Sequence, residues 1–166
     1  VKKTLVVGFG NSYRHDDGVG RVVVNHVRER LGRPPLDAND DGFSDLGHTV
    51  DTVVMHQLSP DLGQDLKPYE QVIFVDAHTD TLDEEICVAH LKAEHKTPFV
   101  YHQTHPATVL EVAEQMYGEA PEGYVVSIRG YDFDFGEGLS EKTDALVEPA
   151  VEKVMGFIEE DAPADA

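Results

Sequence analysis

Asp16, Asp17, Asp76 and His102 are the residues whose types and places suit chemistry. The two adjacent carboxylates close a glycine-punctuated stretch, Gly8-Phe9-Gly10-Asn11-Ser12-Tyr13-Arg14-His15-Asp16-Asp17-Gly18-Val19-Gly20. Leu5-Val6-Val7 before it reads as a central parallel strand and Val19 to Leu31 after it as a helix, so the pair falls where open α/β sheets bind ligands. Asp76 follows a second strongly apolar run, Gln71 to Val75, and therefore also marks a strand's carboxyl end. His102 stands in a loop leading to a helix that Pro106 opens. Carboxylate oxygens and an imidazole nitrogen suit a borderline divalent ion such as nickel or zinc, and a set of three leaves positions for water or a partner's ligands. The plainer alternatives are a turn cap for Asp76 and a solvated loop histidine for His102.

Competing chemistries fit less well. Gly8-Phe9-Gly10 has the start of a dinucleotide fingerprint, but Tyr13 stands where the third small residue belongs, and Asp16 and Asp17 would face a pyrophosphate. Ser12 lacks the strand-to-helix elbow of a serine nucleophile. Cys87, the single cysteine, lies inside the apolar run Ile86-Cys87-Val88-Ala89 and reads as a buried structural thiol. His56 ends another strand, as a wall of a substrate cleft or as a structural residue.

The elements that must position these residues alternate along the chain. After the first helix, Arg33-Pro34-Pro35 opens a loop rich in Asp, Asn and Gly through Gly47, read as a flexible surface excursion. Val50 to Met55 resumes as a strand, Pro60 to Leu66 is a short helix capped by Ser59, and Gln71 to Val75 and Glu85 to His90 are strands. Pro106 opens a helix bearing Val109, Leu110, Val112, Ala113 and Met116, Tyr124 to Ile128 is a strand, and Ser140 to about Ile158 is the final helix. This alternation implies an α/β fold, a three-layer α/β/α sandwich with a mainly parallel twisted sheet of about five strands and helices on both faces. Residues 1–158 read as one domain and 159–166 as an acidic, frayed tail.

Composition narrows the partners. Thirty-two acidic against 13 basic residues give a net charge of −19, the opposite of what a nucleic-acid backbone requires. No apolar stretch approaches the roughly 20 residues of a membrane span, and Lys2-Lys3 leads only into a short strand. A cytoplasmic monomer without nucleic-acid or membrane partners is expected.

These residues resemble the nickel-iron hydrogenase maturation endopeptidases, which remove a C-terminal extension from the hydrogenase large subunit after nickel insertion. Gly8-Phe9-Gly10-Asn11 with Asp16-Asp17-Gly18-Val19-Gly20 is similar to that family's signature, and Val72-Ile73-Phe74-Val75-Asp76-Ala77 to its second block. His102, Pro106 and Leu110 reproduce a family spacing, and Asp134-Phe135-Gly136-Glu137-Gly138-Leu139-Ser140 is similar to the segment before its last helix. The resemblance spans nearly the whole chain, with Arg33 to Gly47 its poorest stretch. It implies Asp17, Asp76 and His102 as metal-contacting residues, Asp17 and Asp76 as catalytic carboxylates, and the precursor of the hydrogenase large subunit as partner. The nickel then arrives with that precursor and is not tightly held by the free enzyme. Position 17 is Glu in many family members, so Asp17 is one methylene shorter, and Asp16 is an alternative to it, as His105 is to His102. A nickel-binding accessory protein and a peptidyl-tRNA-hydrolase-like esterase are the competing functions, the second disfavoured by the acidic composition.

Overall fold

The computed structural model describes residues 1–92 and 104–160. Five strands, β1 (Thr4–Phe9), β2 (Val50–Met55), β3 (Gln71–His78), β4 (Ile86–Leu91) and β5 (Glu122–Arg129), form one sheet in the order β2-β1-β3-β5-β4. The first four in that order run parallel, and β4 is antiparallel to β5. Helices α1 (Val19–Arg30) and α3 (Glu141–Glu159) cover one face; α2 (Pro106–Tyr117) and a short 3-10 helix, Pro60–Asp65, cover the other. The expected three-layer sandwich is the fold observed.

The sequence produces these layers by simple periodicities. Successive side chains of a strand point to opposite faces, so in β3 Ile73 and Val75 enter the core under α1 and α3, while Val72 and Phe74 enter the core under α2. A strand covered on both faces must be apolar throughout, which is why β1 and β3 read as continuous runs. In α1, Val19, Val23, Val24 and Val27 repeat at helical spacing and are fully buried. Ser59 and Ser140 cap their helices by accepting from the backbone N–H of Asp61 and Thr143 at 3.2 and 3.3 Å. Among the described residues no helix is long and apolar enough to cross a membrane.

Three expectations are corrected. β3 does not stop at Val75: the parallel ladder with β5 continues to His78, pairing Asp76 with Ser127, so Asp76 lies within the strand. Backbone pairing is indifferent to the side chain's polarity, and the end of an apolar run is not the end of a strand. The stretch from Arg33 to Gly47 has no regular element, yet it is not a free excursion. The buried Arg28 guanidinium donates to Pro34 O at 2.7 Å, Thr52 Oγ1 at 2.8 Å and Asp45 Oδ2 at 3.1 Å, Leu36 is buried with its N–H on Asn25 Oδ1, and Val54 N–H bonds Asp41 O. Cys87 is half-buried rather than enclosed, its Sγ 3.3 Å from Glu84 O, because β4 is a sheet edge whose Val88 and His90 are exposed. Met116 likewise faces out of α2. The acidic tail from 161 onward lies outside the described residues.

Candidate active site

Two glycines bring the acidic turn to the sheet. A Cβ on Gly20 would stand 2.6 Å from Val75 O and 3.0 Å from Phe9 N, and one on Gly8 would stand 2.5 Å from Gly20 O. With no side chain between them, the first turn of α1 rests directly on the carboxyl ends of β1 and β3. The 3-10 turn His15–Gly18, which leads into α1 and carries both aspartates, is thereby packed against β3. Gly10, at φ +139°, lets the chain pass so close that a Cβ there would collide with Asp17 O.

The adjacent aspartates do different work. Asp16 is fully buried and saturated: Oδ1 accepts from Ser140 N at 2.7 Å, and Oδ2 from Ser140 Oγ, Tyr131 N and Asp132 N at 2.7, 2.8 and 2.9 Å. Burial alone would push its pKa up, but these donors outweigh it and hold the carboxyl below the usual range. Asp16 therefore ties the β5–α3 connection to the turn, and the notion that it shares a ligand role is not supported by its hydrogen bonding. His15 adds to the clasp, its N–H on Gly136 O and its Nδ1 2.9 Å from Gly138 O. No structural task for Asp134 to Ser140 is readable from local pattern; the long-range bonds of Ser140 to Asp16 and of Gly136 and Gly138 to His15 reveal it.

Asp17 and Asp76 form the candidate site. Asp17 is half-buried, with Oδ2 accepting from Asn11 N–H at 2.8 Å. Asp76 receives the N–H of Ala77 at 2.7 Å, and its pKa is pushed up to about 7. Loss of water around the carboxyl is the main cause, the Ala77 bond opposes it, and the nearby negative charge of Asp17 adds to the rise. A buried carboxyl raised to about 7 beside a second carboxylate at a sheet's carboxyl edge is a place for a cation or for proton transfer near neutral pH. Among the described residues no three His, Cys, Asp or Glu side chains stand together as a ready metal site.

The histidines divide similarly. His102 lies outside the described residues. His105 caps α2, its Nδ1 accepting from Ala107 N at 3.0 Å. An accepting Nδ1 puts the ring proton on Nε2, so neither nitrogen of His105 is free to bind a metal without giving up the cap. His56 lines two adjoining clefts of about 200 and 440 Å³ beside the acidic turn, which share Arg21, Ala38, Val54, Met55 and His56. The smaller lies at the carboxyl ends of β1 and β2 and is lined by Gly10 and Tyr13, and the larger lies at the carboxyl end of β2 and is lined by Asp40 and Asp41.

Open α/β sheets bind ligands at their carboxyl edge, and here that edge carries a carboxylate pair and a cleft. No protein-family model matches the chain, and no curated protein does. Among solved structures, the hydrogenase maturating endopeptidase HybD of E. coli superposes with a TM-score of 0.67 at 18% identity, over 94% of this chain and 91% of that one. The [NiFe] hydrogenase maturation protease HycI of Thermococcus kodakarensis KOD1 gives 0.67 at 17% identity, over 96% and 94%. A hydrogenase 2 maturation peptidase from a Thaumarchaeota archaeon gives 0.60 at 22% identity, over 96% and 100%. At these identities the likeness is one of fold, and it covers 94–96% of this chain.

Proposed function

We propose that this protein is an endopeptidase that removes the C-terminal extension of a nickel-iron hydrogenase large-subunit precursor once nickel has been inserted. The observation that carries the reading is the electrostatically coupled Asp17–Asp76 pair at the carboxyl edge of a fold shared with hydrogenase maturation proteases. Amide hydrolysis needs an activated water, stabilisation of the tetrahedral intermediate and a proton for the leaving amine. A carboxyl whose pKa sits at about 7 exchanges protons readily at neutral pH, which suits Asp76 to taking the proton of water and returning it to the amine. Asp17 keeps the local field negative, and the pair draws the cation that the substrate carries. In this reading Asp17 and Asp76, with His102, contact the precursor's own nickel, and the metal licenses cleavage by being the substrate feature recognised. The enzyme acts as a cytoplasmic monomer on this precursor.

Incubating the protein with purified large-subunit precursor, with and without nickel, and measuring intact mass tests the reading. The expected result is loss of one discrete C-terminal peptide in the nickel-loaded sample alone. Binding of the nickel-loaded precursor without any cleavage would replace the protease with an accessory binder.

A further inference from the structure

We propose that the carboxyl end of β2 is a docking edge on which the precursor lies as an extended strand, and that this pairing leads the precursor's backbone toward the turn that carries Asp17. The inference rests on the endopeptidase reading and deepens it by naming how the substrate backbone is held. β2 is an outer strand of the sheet, hydrogen-bonded on one side to β1. Which of its backbone groups point outward follows from two bonds. Met55 O accepts from Gly10 N at 3.0 Å and so points inward toward the β1 side, whereas Val54 N donates outward to Asp41 O at 2.9 Å. The N–H and C=O of one strand residue point the same way, and the direction alternates along the chain. Val54 C=O and the N–H of His56 are therefore the next outward groups beyond the rung that Asp41 occupies.

Beyond Asp41 the loop makes no further backbone hydrogen bond to the edge among the described residues, and its Ala38 forms a wall of both clefts. Gly42, at φ +86°, turns the chain against Thr52, and Arg21 holds the preceding segment by donating to Asp37 O at 3.1 Å and Asp40 O at 3.4 Å. Past that point the edge opens into the two clefts, both lined by Val54, Met55 and His56. The cleft nearer the turn is lined by Gly10 and Tyr13, and Gly10 is in contact with Asp17. An extended peptide seated on this edge has main-chain partners in Val54 C=O and His56 N–H and runs onward to the turn that carries Asp17. Strand addition of this kind draws affinity from backbone bonds and reads alternate side chains in pockets, which fits a cleft made of two lobes.

The test uses the unmodified protein and the nickel-free precursor, which main-chain pairing holds without the metal and which is not cleaved. Amide hydrogen exchange followed by NMR reports His56 directly. The expected result is that precursor slows exchange of the His56 amide about tenfold or more, the worth of one new backbone hydrogen bond. In the otherwise unmodified enzyme, His56→Pro removes that N–H and should raise KM for the precursor about tenfold with kcat nearly unchanged. Precursor that binds, by co-elution, while the His56 amide exchanges as fast as before would overturn the strand pairing and leave the endopeptidase reading intact. Failure of the nickel-free precursor to bind at all would also overturn the strand pairing, whereas the endopeptidase reading stands or falls on cleavage of the nickel-loaded precursor. If His56→Pro misfolds by circular dichroism, the exchange measurement decides alone.

Discussion

Asp16 and Asp17 are neighbours with the same side chain, and their surroundings separate them into a strut and a reactive group. Asp16→Asn puts an amide N–H₂ among four donors that need an acceptor, so a loss of about 2–4 kcal/mol in denaturant unfolding is expected. Because the native pKa of Asp16 lies below its unfolded value, this stabilisation is present above the ordinary carboxylate range and is lost as pH falls through the native value. Asp76 has the opposite sign. Its native pKa of about 7 exceeds the ordinary carboxyl value of 3.8, so the native state binds the extra proton between them and stability drains away as pH rises from about 4 to about 7. Asp76→Asn should therefore abolish processing while raising the melting temperature at about pH 8 more than at about pH 5, by an equivalent of about 1–3 kcal/mol. A variant that processes normally, or whose stability gain does not grow with pH, would remove Asp76 from the site. The sequence made Asp76 legible because it follows an apolar run, and Asp17 because it closes a glycine-punctuated turn that leaves one. It could not separate Asp16 from Asp17, since the difference lies in donors more than 100 positions away.

At the scale of elements, two glycines in helices make opposite demands. Gly20 lies in the first turn of α1 with Val75 O where a Cβ would go, whereas Gly156 lies on the exposed side of α3 with nothing within 4 Å. Gly20→Ala should cost about 2–4 kcal/mol and slow processing, because relieving the overlap moves α1 and Asp17 away from β3. Gly156→Ala should stabilise by about 0.5–1 kcal/mol through helix propensity. Equal effects of the two substitutions in urea unfolding would contradict the close approach of α1 to the sheet. The elements themselves were readable from local pattern: the valine stripe of α1, the apolar runs of β1 and β3, and the serine caps all act within a few residues. What escaped was non-local. The polar tail of β3 is held by pairing with β5, and the loop after α1 is fixed by Arg28, a side chain that helical periodicity alone marks as one more charged position.

For the whole molecule, charge is the dominant global term. Thirty-two acidic residues face 13 basic ones, and several cations are already committed: Arg28 to Asp45, and Arg30 to both Glu148 and Glu152. Most carboxylates thus repel one another across the surface, a penalty that compaction increases. Exposed charges separated by more than a screening length stop interacting, and that length falls from roughly 10 Å at about 0.1 M salt to roughly 3 Å at about 1 M. Potassium chloride over that range should therefore raise the melting temperature by about 5 °C or more, corresponding to about 1–3 kcal/mol for a chain of this size. The buried Asp16 network is shielded from the solvent ions, so the destabilisation by Asp16→Asn should be the same at both salt concentrations. Calorimetry of the two proteins at two salt concentrations checks both statements. A melting temperature that stays flat or falls with salt would mean that local ion pairs such as Arg30 with Glu148 and Glu152, rather than net repulsion, set the electrostatic stability of the fold.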